Sequence, residues 1–467
     1  MALYGALRRL AHGVGPCHET SALAAPFSRA VHTLKGFSTN KFASAASTED
    51  EQPVLSGVVP ITGPLSAAWG PTPPPAPIST SVGGHPVMVH NEGGTKRVVV
   101  TKDLPGTRWI DILTAANLRV EVCAHEDFIL SQNTIKTLIS DGCRQCHGVI
   151  GQLTEDWDES LFAELRAAGG SVYSNYAVGY NNVNVKGATK HGIAVGNTPG
   201  VLTETTAELA VALTFAAARR VVEADRFMRK GLYLGWAPTL MVGQLLQNKT
   251  VGIIGAGRIG TAYARMMAEG HKCNIVYFDP YPNKFLEQYI SDYSDLLESK
   301  GEPRITCRKI ETVEELLQIS DVVSLHCNLD DNTHHLMNED RLNMMKKEAV
   351  LVNCARGPII DEVALTNFLQ ANENFRCGLD VFEDEPNMVP GLSDCENVVV
   401  VPHIASASLW TRSGMATLAA ANVAMRLQDK PAWNKPDILS YVDGPLEDIP
   451  QASPNIVNAE ELGIPTV

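Results

Sequence analysis

The chain has 467 residues, 45% of them hydrophobic and 19% charged, with a formal net charge of −14. That size and balance suit a globular protein of about two domains. The absence of any run of about 18 apolar residues argues against a helical membrane span. The negative charge argues against a general nucleic-acid surface, and means that an anionic substrate needs a local cationic pocket.

Residues 1 to about 86 are not expected to form a folded domain. Up to Ser47 the only acid is Glu19, against Arg8, Arg9, Arg29, Lys35 and Lys41, and Leu3, Leu7 and Leu10 share one helical face. This is organelle transit-peptide composition, and the basic amphipathic segment favours the mitochondrion over the plastid. A spacer centred on Pro71–Pro77 follows, with folded sequence expected from near Val87.

From there, β-like runs at 97–100, 119–122, 148–152, 171–174 and 193–195 alternate with helical segments such as 159–168. The alternation predicts an α/β domain with a parallel sheet. Within it, Ser174-Asn175-Tyr176-Ala177-Val178-Gly179-Tyr180-Asn181-Asn182 reads as a loop after a strand, able to offer backbone N–H groups to an anion. Asn197-Thr198-Pro199-Gly200 reads as a hinge. Thr205 with Glu208 reads as a capping box for an almost wholly apolar helix ending near Ala218. Of the ten cysteines, most sit in apolar segments, as Cys273, Cys307 and Cys377 do, which suits reduced thiols. Cys143-Arg144-Gln145-Cys146-His147 has haem-attachment spacing, but without another cytochrome feature it reads as a thiol pair or as two unconnected cysteines.

The second domain opens on Val251-Gly252-Ile253-Ile254-Gly255-Ala256-Gly257-Arg258-Ile259-Gly260. A buried strand running into Gly-x-Gly-x-x-Gly and a helix forms a pyrophosphate cradle. Gly255 makes the turn, Gly257 admits the phosphates, and Gly260 lets helix and strand pack closely. A second apolar run, 274–278, ends in Asp279, where a carboxylate can accept bonds from the adenosine ribose hydroxyls and repel a 2′-phosphate. NADH is therefore expected over NADPH. Further strands are expected at 305–309, 321–325, 349–353, 376–380 and 397–401, making a seven-stranded, doubly wound sheet. A long helix over 406–428 should cross back to the first domain, and the tail from Pro431 should wrap its surface.

Three clusters fall at the C-terminal ends of these strands, where ligands collect in such sheets. Arg356, in Asn353-Cys354-Ala355-Arg356-Gly357, is placed for a bidentate grip on a carboxylate. Asp380 to Glu385 packs four acids behind a strand, and His403 stands between a strand and a helix start. A histidine near a carboxylate, an arginine and a nicotinamide is an acid/base candidate.

With these strings in place, and with 105–110, 151–157, 196–208 and 401–408 beside them, the chain resembles the D-isomer-specific 2-hydroxyacid dehydrogenase family. The similarity runs from about Val87 to about Gly463 and is closest to the plant hydroxypyruvate-reductase branch. The resemblance implies two Rossmann-like or flavodoxin-like domains (87–198 completed by 403–467, and 199–402) with the active site in the cleft between them. It implies a homodimer, NAD as cofactor, and a small 2-keto acid as substrate. It further implies that Arg356 holds and polarises the substrate and that His403 donates the proton. Glu385 pairs with His403, and the amides of Val178 and Gly179 bind the substrate carboxylate. Arg258, Ile259, Asp279, Cys327, Cys354, Asp380 and Ser406 match cofactor-contacting positions. The implied activity is photorespiratory-type reduction of hydroxypyruvate to D-glycerate, with glyoxylate as a side substrate. Alternatives are a glyoxylate- or phosphoglycerate-type dehydrogenase, or a non-enzymatic NADH-sensing protein on the same fold. Asn328 stands where the family commonly has proline, and Asn184 where it commonly has aspartate. The terminal Ile464-Pro465-Thr466-Val467 differs from the Ser-Lys-Leu address of plant relatives, which again turns the expectation towards the mitochondrion.

Overall fold

Fourteen short strands divide into two sheets of seven in the computed structural model, which describes residues 77–127, 129–140 and 144–467. The expected transit segment and Cys143 lie outside the described residues. In the first sheet, β1 (Ile78–Val82), β2 (His85–His90), β3 (Lys96–Val100), β4 (Leu118–Cys123), β5 (Gly148–Gly151), β6 (Val172–Asn175) and β7 (Ala194–Gly196) lie in the order β1-β2-β4-β3-β5-β6-β7. The five from β4 to β7 are parallel, and the β1–β2 hairpin adds antiparallel to β4. Folded structure thus begins nine residues before the expected Val87. Gly83 and Gly84 take positive φ to turn the hairpin, and a Ser/Thr-rich edge strand lacks the apolar alternation that would announce it.

The second sheet holds β8 (Thr250–Ile254), β9 (Asn274–Phe278), β10 (Cys307–Lys309), β11 (Val322–Leu325), β12 (Val350–Asn353), β13 (Arg376–Leu379) and β14 (Val398–Val400). All pair in parallel in the order β10-β9-β8-β11-β12-β13-β14, a dinucleotide-binding order with one strand added at the far edge. Both sheets are covered on both faces, which explains their near-continuous apolar runs. In β3, Val98 and Val100 face one core while Val99 faces the other. In β8, Val251 and Ile253 face one core and Ile254 the other. Helices are started by side-chain caps, with Asp158, Asn283, Thr312, Asn338, Asp361 and Ser408 each accepting a backbone N–H three residues on. Asn184 caps 185–190 in the same way, so it serves where an aspartate would.

Two helices connect the halves. Thr203–Ala218 packs against 258–271 and strands β12 and β13, and its burial on several sides follows from its composition. The expected capping box is absent. No side chain caps this helix; the Thr205 hydroxyl instead meets that of Thr411 at 2.6 Å. A tertiary partner outcompetes the local one. Leu409–Arg426 returns to the first sheet, packing Ala416, Leu418, Ala419, Ala420, Val423 and Ala424 against β5, β6 and 108–115.

The tail does more than wrap the surface. Tyr441, Ile456 and Ala459 are buried in the first core, where each large side chain contributes roughly 1.5–3 kcal/mol. Asn458 ties Val195 N–H, the Ile193 carbonyl and the Thr189 hydroxyl together. Cys146 is buried and its thiol is pushed up to about 11 by loss of solvent, which sets it apart from a reactive surface pair. Among the described residues no helix is long and apolar enough to cross a membrane.

Candidate active site

The candidate residues gather at the C-terminal edges of both sheets, because each follows a buried strand. On the second sheet, Gly255 takes φ +95°, and a Cβ there would sit 2.5 Å from the Cys327 amide nitrogen. A Cβ on Gly260 would sit 2.1 Å from the Gly255 carbonyl oxygen, so only glycine lets the helix 258–271 approach β8. Gly257 differs, since a Cβ there would meet nothing within 4 Å. It starts a 14-residue helix that no side chain caps, so the space before it and the free N–H groups fit a pyrophosphate. Arg258 and Ile259 open that helix. Asp279 ends β9 and is fixed by two backbone donors, Ala256 N–H at 3.0 Å and Tyr281 N–H at 2.9 Å. The strand edge therefore has the cradle and the carboxylate that a dinucleotide requires. Gly257→Ala should leave the melting temperature of the free protein unchanged and raise the KM for NADH at least about tenfold, since the added methyl invades only the phosphate space.

Cys327 and Cys354 follow β11 and β12. Burial pushes Cys327 up to about 12 and raises Cys354 well above the ordinary thiol value, so both are thiols and not thiolates. The chain after Asn328 is shaped without proline: Asp330 accepts from Asn332 and Thr333 N–H, and the Thr333 hydroxyl donates to the Asn328 carbonyl at 2.6 Å.

Arg356 reaches across the cleft. Its Nε donates to Asn181 Oδ1 at 3.1 Å and its Nη1 to the Ala355 carbonyl, while Asn353 braces the turn from below. A Cβ on Gly179 would fall 1.7 Å from Arg356 Nη2, so glycine at 179 is what lets the guanidinium lie against the loop after β6. Burial lowers the Arg356 pKa and Glu385 opposes that, and a guanidinium stays protonated throughout. The loop itself is braced by asparagines. Asn197 donates to the Val178 carbonyl, Asn175 to that of Gly179, and Asn182 to those of Gln152 and Glu155. These braces went unread in the sequence. The Asn-rich run 175–184 is a signal of local turns, but the partners of Asn182 lie 27 and 30 residues away.

His403 follows β14 with φ +51° and its Nδ1 lies 2.9 Å from Glu385 Oε2. The other Glu385 oxygen accepts Phe382 N–H. Burial alone would raise the Glu385 pKa. The hydrogen bond and charge of His403, the Phe382 amide and Arg356 outweigh it and hold the carboxyl below its ordinary value. The pair's contribution to stability is thus present above the unfolded-state value, about 4.3, and is lost as pH falls through the lowered folded one. Asp380 behaves oppositely. Burial pushes it up to about 6, against the Ile404 N–H at 2.6 Å, His403 and the Ala405 N–H at 2.9 Å. It orients the start of the His403–Ser408 turn, and Ser406 lies half-buried there.

Arg356, His403, Glu385, Asp380, Val178 and Gly179 therefore converge on one cleft, with the glycine turn and Asp279 further along the same sheet edge. Comparison with known proteins identifies the family. Residues 211–405 match the family model for the NAD binding domain of D-isomer specific 2-hydroxyacid dehydrogenases. The chain is 57% identical over 379 residues to "Glycerate dehydrogenase HPR, peroxisomal" of Arabidopsis thaliana, covering 81% of this chain and 97% of that protein. It is 56% identical to the glycerate dehydrogenase of Cucumis sativus, covering 81% and 98%. Among solved structures, the TT0316 protein from Thermus thermophilus superposes with a TM-score of 0.63 at 34% identity, covering 77% of this chain and 99% of that one. The chain belongs to the D-isomer specific 2-hydroxyacid dehydrogenase family.

Proposed function

We propose that this chain is an NADH-dependent hydroxypyruvate reductase that forms D-glycerate and also reduces glyoxylate. The observation that carries this reading is the convergence of Arg356 and the Val178–Gly179 loop with the His403–Glu385 pair, in a chain so similar to plant glycerate dehydrogenases. Residues 78–198 and 403–467 form the substrate half, and 199–402 the cofactor half.

The Gly255–Gly260 turn would hold the pyrophosphate of NADH and Asp279 its ribose, and the bound cofactor would supply the hydride. Arg356 and the amides of Val178 and Gly179 hold the substrate carboxylate, and Arg356 also draws electron density to the keto oxygen. His403 spends Nδ1 on Glu385, which leaves Nε2 to give a proton to that oxygen as it becomes an alkoxide. Glu385 keeps the ring oriented through that hydrogen bond. Steady-state rates with a panel of 2-keto acids and both cofactors test the assignment. Hydroxypyruvate with NADH should give the highest kcat/KM. A different best acid would overturn the substrate, and an NADPH preference would overturn the role of Asp279.

A homodimer is part of the reading. The helix Val221–Arg229 buries none of its residues, and the segment after it exposes Leu232, Leu234, Trp236, Val242 and Leu245, with Leu234 97% and Trp236 82% exposed. So much apolar surface on one arm is what a second copy would cover. The mitochondrial address rests on the basic, acid-poor composition of residues 1 to about 47, while the Arabidopsis relative is named peroxisomal.

A further inference from the structure

At the start of the loop that carries Glu385, His334, His335 and Glu383 place three potential ligand atoms within 4.8 Å of one another. We propose that these side chains form a binding site for a divalent transition-metal ion of the zinc class.

The chemistry of the donors selects the ion. Two imidazoles and one carboxylate suit zinc and its neighbours and are poor ligands for magnesium or calcium, which take oxygen. Three protein ligands leave a position for water. His335 Nε2 lies 2.6 Å from Glu383 Oε1, so these two already share a proton-sized space. An ion with bonds of about 2.0–2.2 Å would replace that proton and part them to roughly 3.3 Å. The rings of His334 and His335 stack at 4.1 Å, and exposed His334 closes the remaining distance by a side-chain rotation.

The supporting groups are already in position. His335 Nδ1 lies 4.0 Å from Asp361 Oδ2, beyond hydrogen-bond reach, so Asp361 supports the site through its negative charge. The His335 backbone is fixed with φ +50°, its N–H donating to the Pro358 carbonyl at 2.8 Å. Glu383 is clamped from both sides. Its Oε2 accepts Glu362 N–H at 3.2 Å, and its own N–H donates to Glu362 Oε2 at 2.7 Å. Glu362 Oε1 in turn accepts Val389 N–H, so both ends of the loop that carries Glu385 are tied to this clamp. The ordering left for the ion to impose falls mainly on His334.

The test uses the full chain, stripped with a chelator and titrated with zinc against a chromogenic competitor, then with cobalt followed by visible absorption. Wild type should bind one more equivalent than His334→Ala, or bind it at least about tenfold more tightly, since even second-layer partners are worth 10–100-fold in affinity. Asp361→Asn, which still caps its helix, should weaken binding in the same direction. The cobalt bands lost in His334→Ala should be those of nitrogen and oxygen ligands, without thiolate charge transfer. Identical zinc titrations of wild type and His334→Ala would overturn the site, as would a thiolate spectrum for the equivalent that the variant loses.

Discussion

Replacing Arg356 with lysine should lower kcat/KM for hydroxypyruvate at least about 100-fold, which is roughly 3 kcal/mol of transition-state stabilisation. Charge is conserved in this variant, so the loss isolates geometry. The guanidinium reaches Asn181 with Nε and the Ala355 carbonyl with Nη1 while Nη2 lies against Gly179. An ammonium is a point charge with no planar fork, and it cannot brace the turn and grip a carboxylate in one plane. Both kcat and kcat/KM should fall, because the grip strengthens as charge develops on the keto oxygen. Near-normal kinetics would remove Arg356 from the site.

His403→Ala should cost about 10²–10⁴-fold in the reductive direction at every pH, the usual worth of a positioned general acid. Glu385→Gln separates the two members of the pair. It keeps the shape and a hydrogen bond to Nδ1 but removes a carboxylate that His403 and Arg356 hold in its ionised form. The ring then lacks its charged partner, so the rate at neutral pH should fall, and the variant should lack any loss of rate tied to protonation of Glu385 at acid pH. A Gln variant with the wild-type rate at neutral pH would show that Glu385 does not position His403, provided chemistry limits the rate.

Most of the scaffold was legible in the sequence because buried parallel strands are short apolar runs. Each of the seven strands of the second sheet falls within two residues of its expected bounds. What escaped was set by partners distant in sequence. The β1 strand, Ile78-Ser79-Thr80-Ser81-Val82, exposes its first four residues and borrows its order from β2, so no apolar period marks it. The Thr205–Glu208 box matched a local rule, yet Thr411, 206 residues on, holds the threonine hydroxyl instead. The tail was read as a surface wrap from its polar composition, while Tyr441 and Ile456 carry it into the first core. The candidate site divides in the same way. Residues at strand ends, such as Arg356, Asp380 and His403, can be named from the strands that precede them. The braces beneath them, Asn197 under Val178 and Glu362 under Glu383, need the fold.

Configuration of the product tests the central claim most directly. Purified chain, hydroxypyruvate and NADH should yield glycerate in step with NADH consumed, and chiral analysis should find the D isomer. NADH consumption without glycerate, or accumulation of L-glycerate, would contradict the account.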